Sequence, residues 1–157
     1  MEVAKSAMQM WVDADACPVV IRDQIVRAAE RREIHCYFVA NSPLRLPKSP
    51  YIHFILVQSG FDAADDEIVA RINVNDLLIS SDIPLAAEAM EKGAHVITPR
   101  GERYTPENIR ARLNMRDFME TMRSSGVHSG GPPPLNQQDR KAFADQFDRL
   151  LQKLTVR

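Results

Sequence analysis

The sequence predicts an α/β fold, a three-layer α/β/α sandwich around a mostly parallel sheet of about five strands. Three observations carry this expectation. Short apolar runs rich in β-branched residues recur at residues 8–12, 34–40, 52–57, 76–80 and 94–98. Between them lie segments whose apolar residues return every three or four positions, the period of a helix packed on one face. Turn residues separate the two kinds of segment, so strands and helices alternate, and that alternation favours crossovers and parallel pairing.

The first strand, ending in Met10-Trp11-Val12, stops at Asp13-Ala14-Asp15. Pro18 suits the first turn of a helix over residues 19–32, with Ile21, Ile25 and Ala28 or Ala29 on its inner face. Residues 34–40 (IHCYFVA) form strand two, closed by Asn41-Ser42-Pro43. The two prolines of residues 44–50 make that stretch a loop before strand three. Asp62 and Asp65 imitate a capping box for a helix running to about Ile72, with Ala64, Ile68 and Ile72 inward. Strand four is DLLIS. Asp82 caps the helix after it, and Gly93 stops that helix. Strand five, AHVIT, turns at Pro99-Arg100-Gly101. Helices follow from Thr105-Pro106-Glu107 to about Leu113 and over residues 114–123. A Pro/Gly-rich linker then leads to a last amphipathic helix with Phe143, Phe147, Leu150, Leu151 and Leu154 in its apolar stripe. The expected organisation is an extension at 1–7 with Met8 as a candidate start, an α/β domain at 8–124, a linker at 125–135, and a helix at 136–157 packing on the same domain.

Composition narrows the functional classes. A formal net charge of −1 gives no global attraction to nucleic acid or membrane, so any anion site must be local. Two cysteines, Cys17 and Cys36, are too few for a disulfide framework and lack zinc spacing. No stretch has the ~18 consecutive apolar residues of a membrane span. The expected location is a reducing cytoplasm. Cys17 beside Pro18 reads as a small buried residue rather than a nucleophile, because neighbouring carboxylates would raise its pKa. The four histidines fall in strands or the linker, not in ligand pairs.

Chemistry is concentrated in aspartates. Asp13 and Asp15 follow strand one, Asp65 and Asp66 open the helix after strand three, and Asp82 follows strand four. Ligands of parallel sheets sit outside the carboxyl ends of the strands, so all five are expected on one rim. In extended chain Asp13 and Asp15 would point the same way. Two such charges ~4 Å apart repel by roughly 4 kcal/mol at an effective dielectric near 20. A divalent cation turns that repulsion into a ligand set, and carboxylates without Cys or His favour Mg²⁺ or Mn²⁺. Such ions activate water and stabilise a phosphodiester under in-line attack. The plain alternatives are that Asp15 caps the first helix, that Asp62, Asp65 and Asp82 complement helix dipoles, and that Asp66 lies on a solvated face. Arg100 and Arg103 after strand five, with Asn41 and Ser80 at strand ends, are the candidate substrate-binding residues; Arg45 and Lys48 lie on the proline-rich loop.

The stretches WVDADACP, GFDAADDEIV, SSDIPLAAEAMEKGA and TPRGERYT, followed by MRDFM, resemble the bacterial YaiI/YqxD family in order and spacing, from about residue 8 to the last helix. More distantly they are similar to PIN-like nuclease domains, which carry an aspartate after strand one, an acidic pair opening a helix, and a Ser/Thr-x-Asp after strand four. That resemblance implies a PIN-like sandwich and metal ligation by Asp13, Asp65, Asp66 and Asp82, with Asp15 as an additional acidic candidate. The function it implies is a Mg²⁺- or Mn²⁺-dependent phosphodiesterase with RNA as the favoured substrate, Asp13, Asp15, Asp66 and Asp82 serving catalysis. Two other readings stand beside it. Asp13-Ala14-Asp15 also looks like the opening motif of haloacid-dehalogenase-type phosphatases, with Asp13 as nucleophile and Ser42 and Lys48 available as partners. A catalytically inactive RNA- or protein-binding module would share the same fold.

Overall fold

The computed structural model describes residues 8–58, 63–114 and 134–155. The expected extension at 1–7, the Asp62 cap, most of the expected helix at 114–123 and nearly all of the linker lie outside them. The strands are β1 (Met10–Asp13), β2 (Cys36–Ala40), β3 (Ile52–Leu56), β4 (Leu77–Ile79), β5 (His95–Ile97) and β6 (Arg103–Tyr104). The helices are α1 (Val19–Arg32), α2 (Ala63–Arg71), α3 (Ile83–Glu91), α4 (106–114) and α5 (Gln137–Thr155). One sheet holds the strands in the order β3-β2-β1-β4-β5-β6. The pairs from β3 to β5 are parallel, and β6 runs antiparallel to β5.

Side-chain alternation divides the core. Met10, Val12, Cys36, Phe38, Leu77, Ile79 and Ile97 face one layer, where they meet Ile21 and Ile25 of α1 and Phe143, Phe147, Leu150 and Leu151 of α5. Trp11, Val39, Leu78, Val96 and Tyr104 face the other, against Ile68 of α2 and Leu85, Ala86 and Ala89 of α3. Each large apolar side chain buried this way contributes about 1.5–3 kcal/mol. The central strands are covered on both sides, which is why they read as continuous apolar runs rather than alternating ones. The fold is therefore the three-layer α/β/α sandwich expected.

Several strand ends differ from the sequence reading, each for a polar reason. The second strand begins at Cys36, not Ile34, because Glu33 takes a left-handed conformation (φ 58°) and Ile34 N–H still bonds to Ala29 O, closing α1. β4 is shorter than the expected 76–80 because both flanking residues are committed elsewhere. Asp76 is buried and accepts from Gln9 N, Trp11 Nε1 and Asn73 N at 2.9–3.0 Å. Ser80 serves the site described below. β6 was not expected: two residues are too few for any period. Asn136 and Asp139 cap α5 reciprocally, Asp139 N–H donating to Asn136 Oδ1 and Asn136 N–H to Asp139 Oδ2.

Candidate functional site

β1 pairs with both β2 and β4, so the chain builds outward from β1 to β3 and then returns to build the other way from β4. That reversal opens a crevice at the carboxyl ends of β1 and β4. Asp13 closes β1 on one side of it, and Ser80 to Asp82 follow β4 on the other.

Ser80 connects the two. Its hydroxyl donates to Asp13 Oδ2 at 3.0 Å and accepts the Asp82 N–H at 3.0 Å. One proton and two lone pairs allow both bonds at once. Asp82 Oδ1 accepts the Leu85 N–H at 3.0 Å, capping α3 as the sequence predicts. Each carboxylate is thus held through one oxygen. Asp13 Oδ1 and Asp82 Oδ2 have no hydrogen-bond partner among the described residues. Burial pushes the Asp13 carboxyl above its ordinary range; the Ser80 hydroxyl pulls it down, and the charges of Asp82 and Asp15 push it up again. Among the described residues no cation acts on it.

The strand alternation expected to carry Asp13 and Asp15 to one side does not reach Asp15. The extended chain ends at Asp13, and Ala14–Ala16 coil into a single 3₁₀ turn, which breaks the two-residue alternation. Asp15 is exposed, its Oδ2 accepting Asn41 N–H at 2.8 Å and its Oδ1 the Ser42 hydroxyl at 3.3 Å. It ties the segment after β1 to the segment after β2. It does not cap α1, whose N-cap residue is Pro18 without a side-chain bond.

The remaining candidates stand as follows. Asp65 and Asp66 stand in the first turn of α2, Asp65 half-buried and Asp66 exposed. Asn41 offers its backbone to Asp15. Arg100 pairs with Asp139 at 2.6 Å, joining the turn after β5 to the first turn of α5. The Arg103 guanidinium meets the His95 ring at 3.1 Å, at the amino end of β5 and away from the rim. Lys48 is exposed on its loop. Burial pushes the Cys17 thiol up to about 12, so at neutral pH it is a buried thiol rather than a thiolate. His35 and His53 meet each other at 2.8 Å, ring nitrogen to ring nitrogen.

Tyr104 escaped the sequence reading. Its hydroxyl is raised first by burial and second by the negative charge of Asp82, so it keeps its proton near the carboxylate pair. Its only sequence signal is its place within TPRGERYT, beside two arginines.

Among the described residues no three or more His, Cys, Asp and Glu side chains gather closely enough to hold a metal ion. The four carboxylates of the PIN-like pattern are therefore not assembled there as a group. A hard cation such as Mg²⁺ nevertheless binds through one or two carboxylates, waters and substrate phosphates, without a full protein cage. Two oriented carboxylates, each with an oxygen unbonded among the described residues, are donors of the kind that ion takes.

Fold and site together define a doubly wound α/β protein with an acidic pair at its topological switch point. Residues 11–153 match the family described as "Uncharacterized BCR, YaiI/YqxD family". The chain belongs to this family. It is 63% identical over 144 residues to a UPF0178 protein of Hydrogenovibrio crunogenus, covering 92% of this chain and 95% of that one. It is 60% identical to a UPF0178 protein of Idiomarina loihiensis over 92% of this chain and 98% of the relative. A UPF0178 protein of Yersinia pestis is 58% identical over 93% of this chain and 96% of its own. No solved structure matches. No helix among the described residues is long and apolar enough to cross a membrane.

Proposed function

We propose that the protein is a divalent-cation-dependent phosphodiesterase acting on RNA, with Asp13 and Asp82 holding Mg²⁺ or Mn²⁺. One observation carries the reading: Ser80 bonds the Asp13 carboxylate and the Asp82 backbone N–H across the β1/β4 crevice, Leu85 N–H holds the Asp82 carboxylate, and each carboxylate keeps an oxygen unbonded among the described residues. Desolvating Asp13 beside two other negative charges costs stability, and among the described residues no cation offsets it. Such a cost is characteristic of a site kept for a ligand.

A bound divalent ion would supply an activated water and charge stabilisation at a phosphodiester. Ser80 would hold Asp13 in its orientation. Asp65 and Asp66, on the helix that follows β3, would add negative charge to the approach. The preference for RNA rests on the resemblance to PIN-like nuclease domains.

The test is cleavage of single-stranded RNA in Mn²⁺ by the wild type, D13N and D82N. The proposal expects cleavage that EDTA abolishes and that both variants reduce to the EDTA baseline, with folding intact by circular dichroism. Cleavage that survives EDTA or either substitution would overturn it. So would hydrolysis confined to phosphate monoesters, which belongs to the phosphatase reading.

A further inference from the structure

On the face of the molecule built by α1 and α5, an open groove of about 710 Å³ separates the two helices. Both start at the carboxyl rim. α1 follows β1 directly, and Arg100 after β5 grips Asp139 in the first turn of α5. The charge of Lys153, near the far end of α5, reaches His95 at the amino end of β5. The helices therefore run side by side in the same direction, and the groove leads away from the rim.

Its charged lining is asymmetric. The basic residues are Arg27, Arg31, Arg140 and Lys141, and the acidic ones are Asp145 and Asp148. Both acids are already engaged: Asp145 with Lys141 at 2.9 Å, and Asp148 with the neighbouring Arg32 at 2.8 Å. Arg27, Arg31 and Arg140 are exposed and have no ion pair or side-chain hydrogen bond among the described residues. In a chain whose formal net charge is −1, three unpaired guanidiniums along one groove are a local excess. Arg27 and Arg31 stand one turn apart on α1, and Arg140 faces them from α5. Guanidinium forks suit phosphate oxygens, which they grip with two parallel bonds.

We propose that this groove binds the phosphate backbone of a single-stranded nucleic acid. The commitment to a nucleic acid over an acidic protein follows from continuity with the rim and rests on the RNA reading to that extent. Binding itself does not require the rim to be catalytic.

The test is fluorescence anisotropy of a single-stranded oligouridine, titrated at several salt concentrations in EDTA. Wild type should bind, and the triple variant Arg27→Gln, Arg31→Gln, Arg140→Gln should bind at least about tenfold more weakly at low salt. The slope of log affinity against log salt should fall in magnitude by about 2, which is what losing three phosphate contacts on a single strand removes. The replaced side chains are exposed, so the Tm should stay unchanged. D13N should bind like wild type, and the triple variant should keep any Mn²⁺-dependent hydrolysis of a small aryl phosphodiester. If those last two results hold but no RNA is cleaved, the groove stands and the catalytic reading falls. Absent wild-type binding, an unchanged slope in the triple variant, or equal competition by polyglutamate of the same charge would overturn the groove.

Discussion

Asp13 sits where burial works against its charge. Its carboxyl titrates above the ordinary carboxylate range in the folded protein, chiefly because it is buried. The folded state therefore holds the proton more tightly than the unfolded chain, and stability falls as pH rises from the ordinary carboxylate value through the raised one. Asparagine removes that titration and can still accept from Ser80. Without divalent cation, D13N should raise the Tm at neutral pH by a few degrees, and the gap to wild type should close as the pH is lowered through this window. A gap independent of pH would contradict the assignment. Ser80 tests the same cluster from its centre. Replacing this buried serine with alanine leaves Asp13 Oδ2 and the Asp82 N–H without their partner, at a cost of about 1–3 kcal/mol in urea unfolding.

At the scale of elements, two carboxylates that look alike in sequence separate by what surrounds them. Asp76 receives three N–H donors and locks the start of β1 to the start of β4. Asp76→Ala should therefore destabilise by more than about 3 kcal/mol, with Trp11 fluorescence reporting the change, whereas Asp66→Asn, at an exposed position, should alter stability by less than about 0.5 kcal/mol. The turn between β5 and β6 shows the same dependence on close contact. Gly101 has φ +89°, and a Cβ there would lie 2.5–2.7 Å from the backbone of Ala142 and Phe143 in α5. Gly101→Ala should cost roughly 1–3 kcal/mol or more and weaken the docking of α5, read as a lower urea midpoint. The sequence revealed α1, α3 and α5 closely, because their apolar stripes and caps are local signals. It could not reveal that Ala14–Ala16 coil, since three small or acidic residues suit a strand end and a 3₁₀ turn equally. That one turn ends the alternation after Asp13 and lets Asp15 bond the segment after β2. Arg100 and Arg103 misled for a related reason: a basic residue after a strand looks alike whether it meets a ligand, Asp139 or His95.

At the scale of the molecule, alternating strands and helices made the parallel sandwich legible, because crossovers leave few other arrangements. The strand order was not written in any single segment. It is the order that brings the ends of β1 and β4 together across a long separation in sequence, and Asp13 and Asp82 with them. The sequence pointed to a wider cluster of five aspartates; the structure joins Asp13 and Asp82 through Ser80, commits Asp15 to a neighbouring loop, and keeps Asp66 on an exposed turn. Topology thus decides which of the acidic residues are joined, and local propensity cannot. The most direct measurement is a crystal soaked in Mn²⁺ and examined at the manganese absorption edge. The account predicts an anomalous peak beside Asp13 and Asp82 that vanishes in D13N. A peak elsewhere, or none at saturating Mn²⁺, would contradict it.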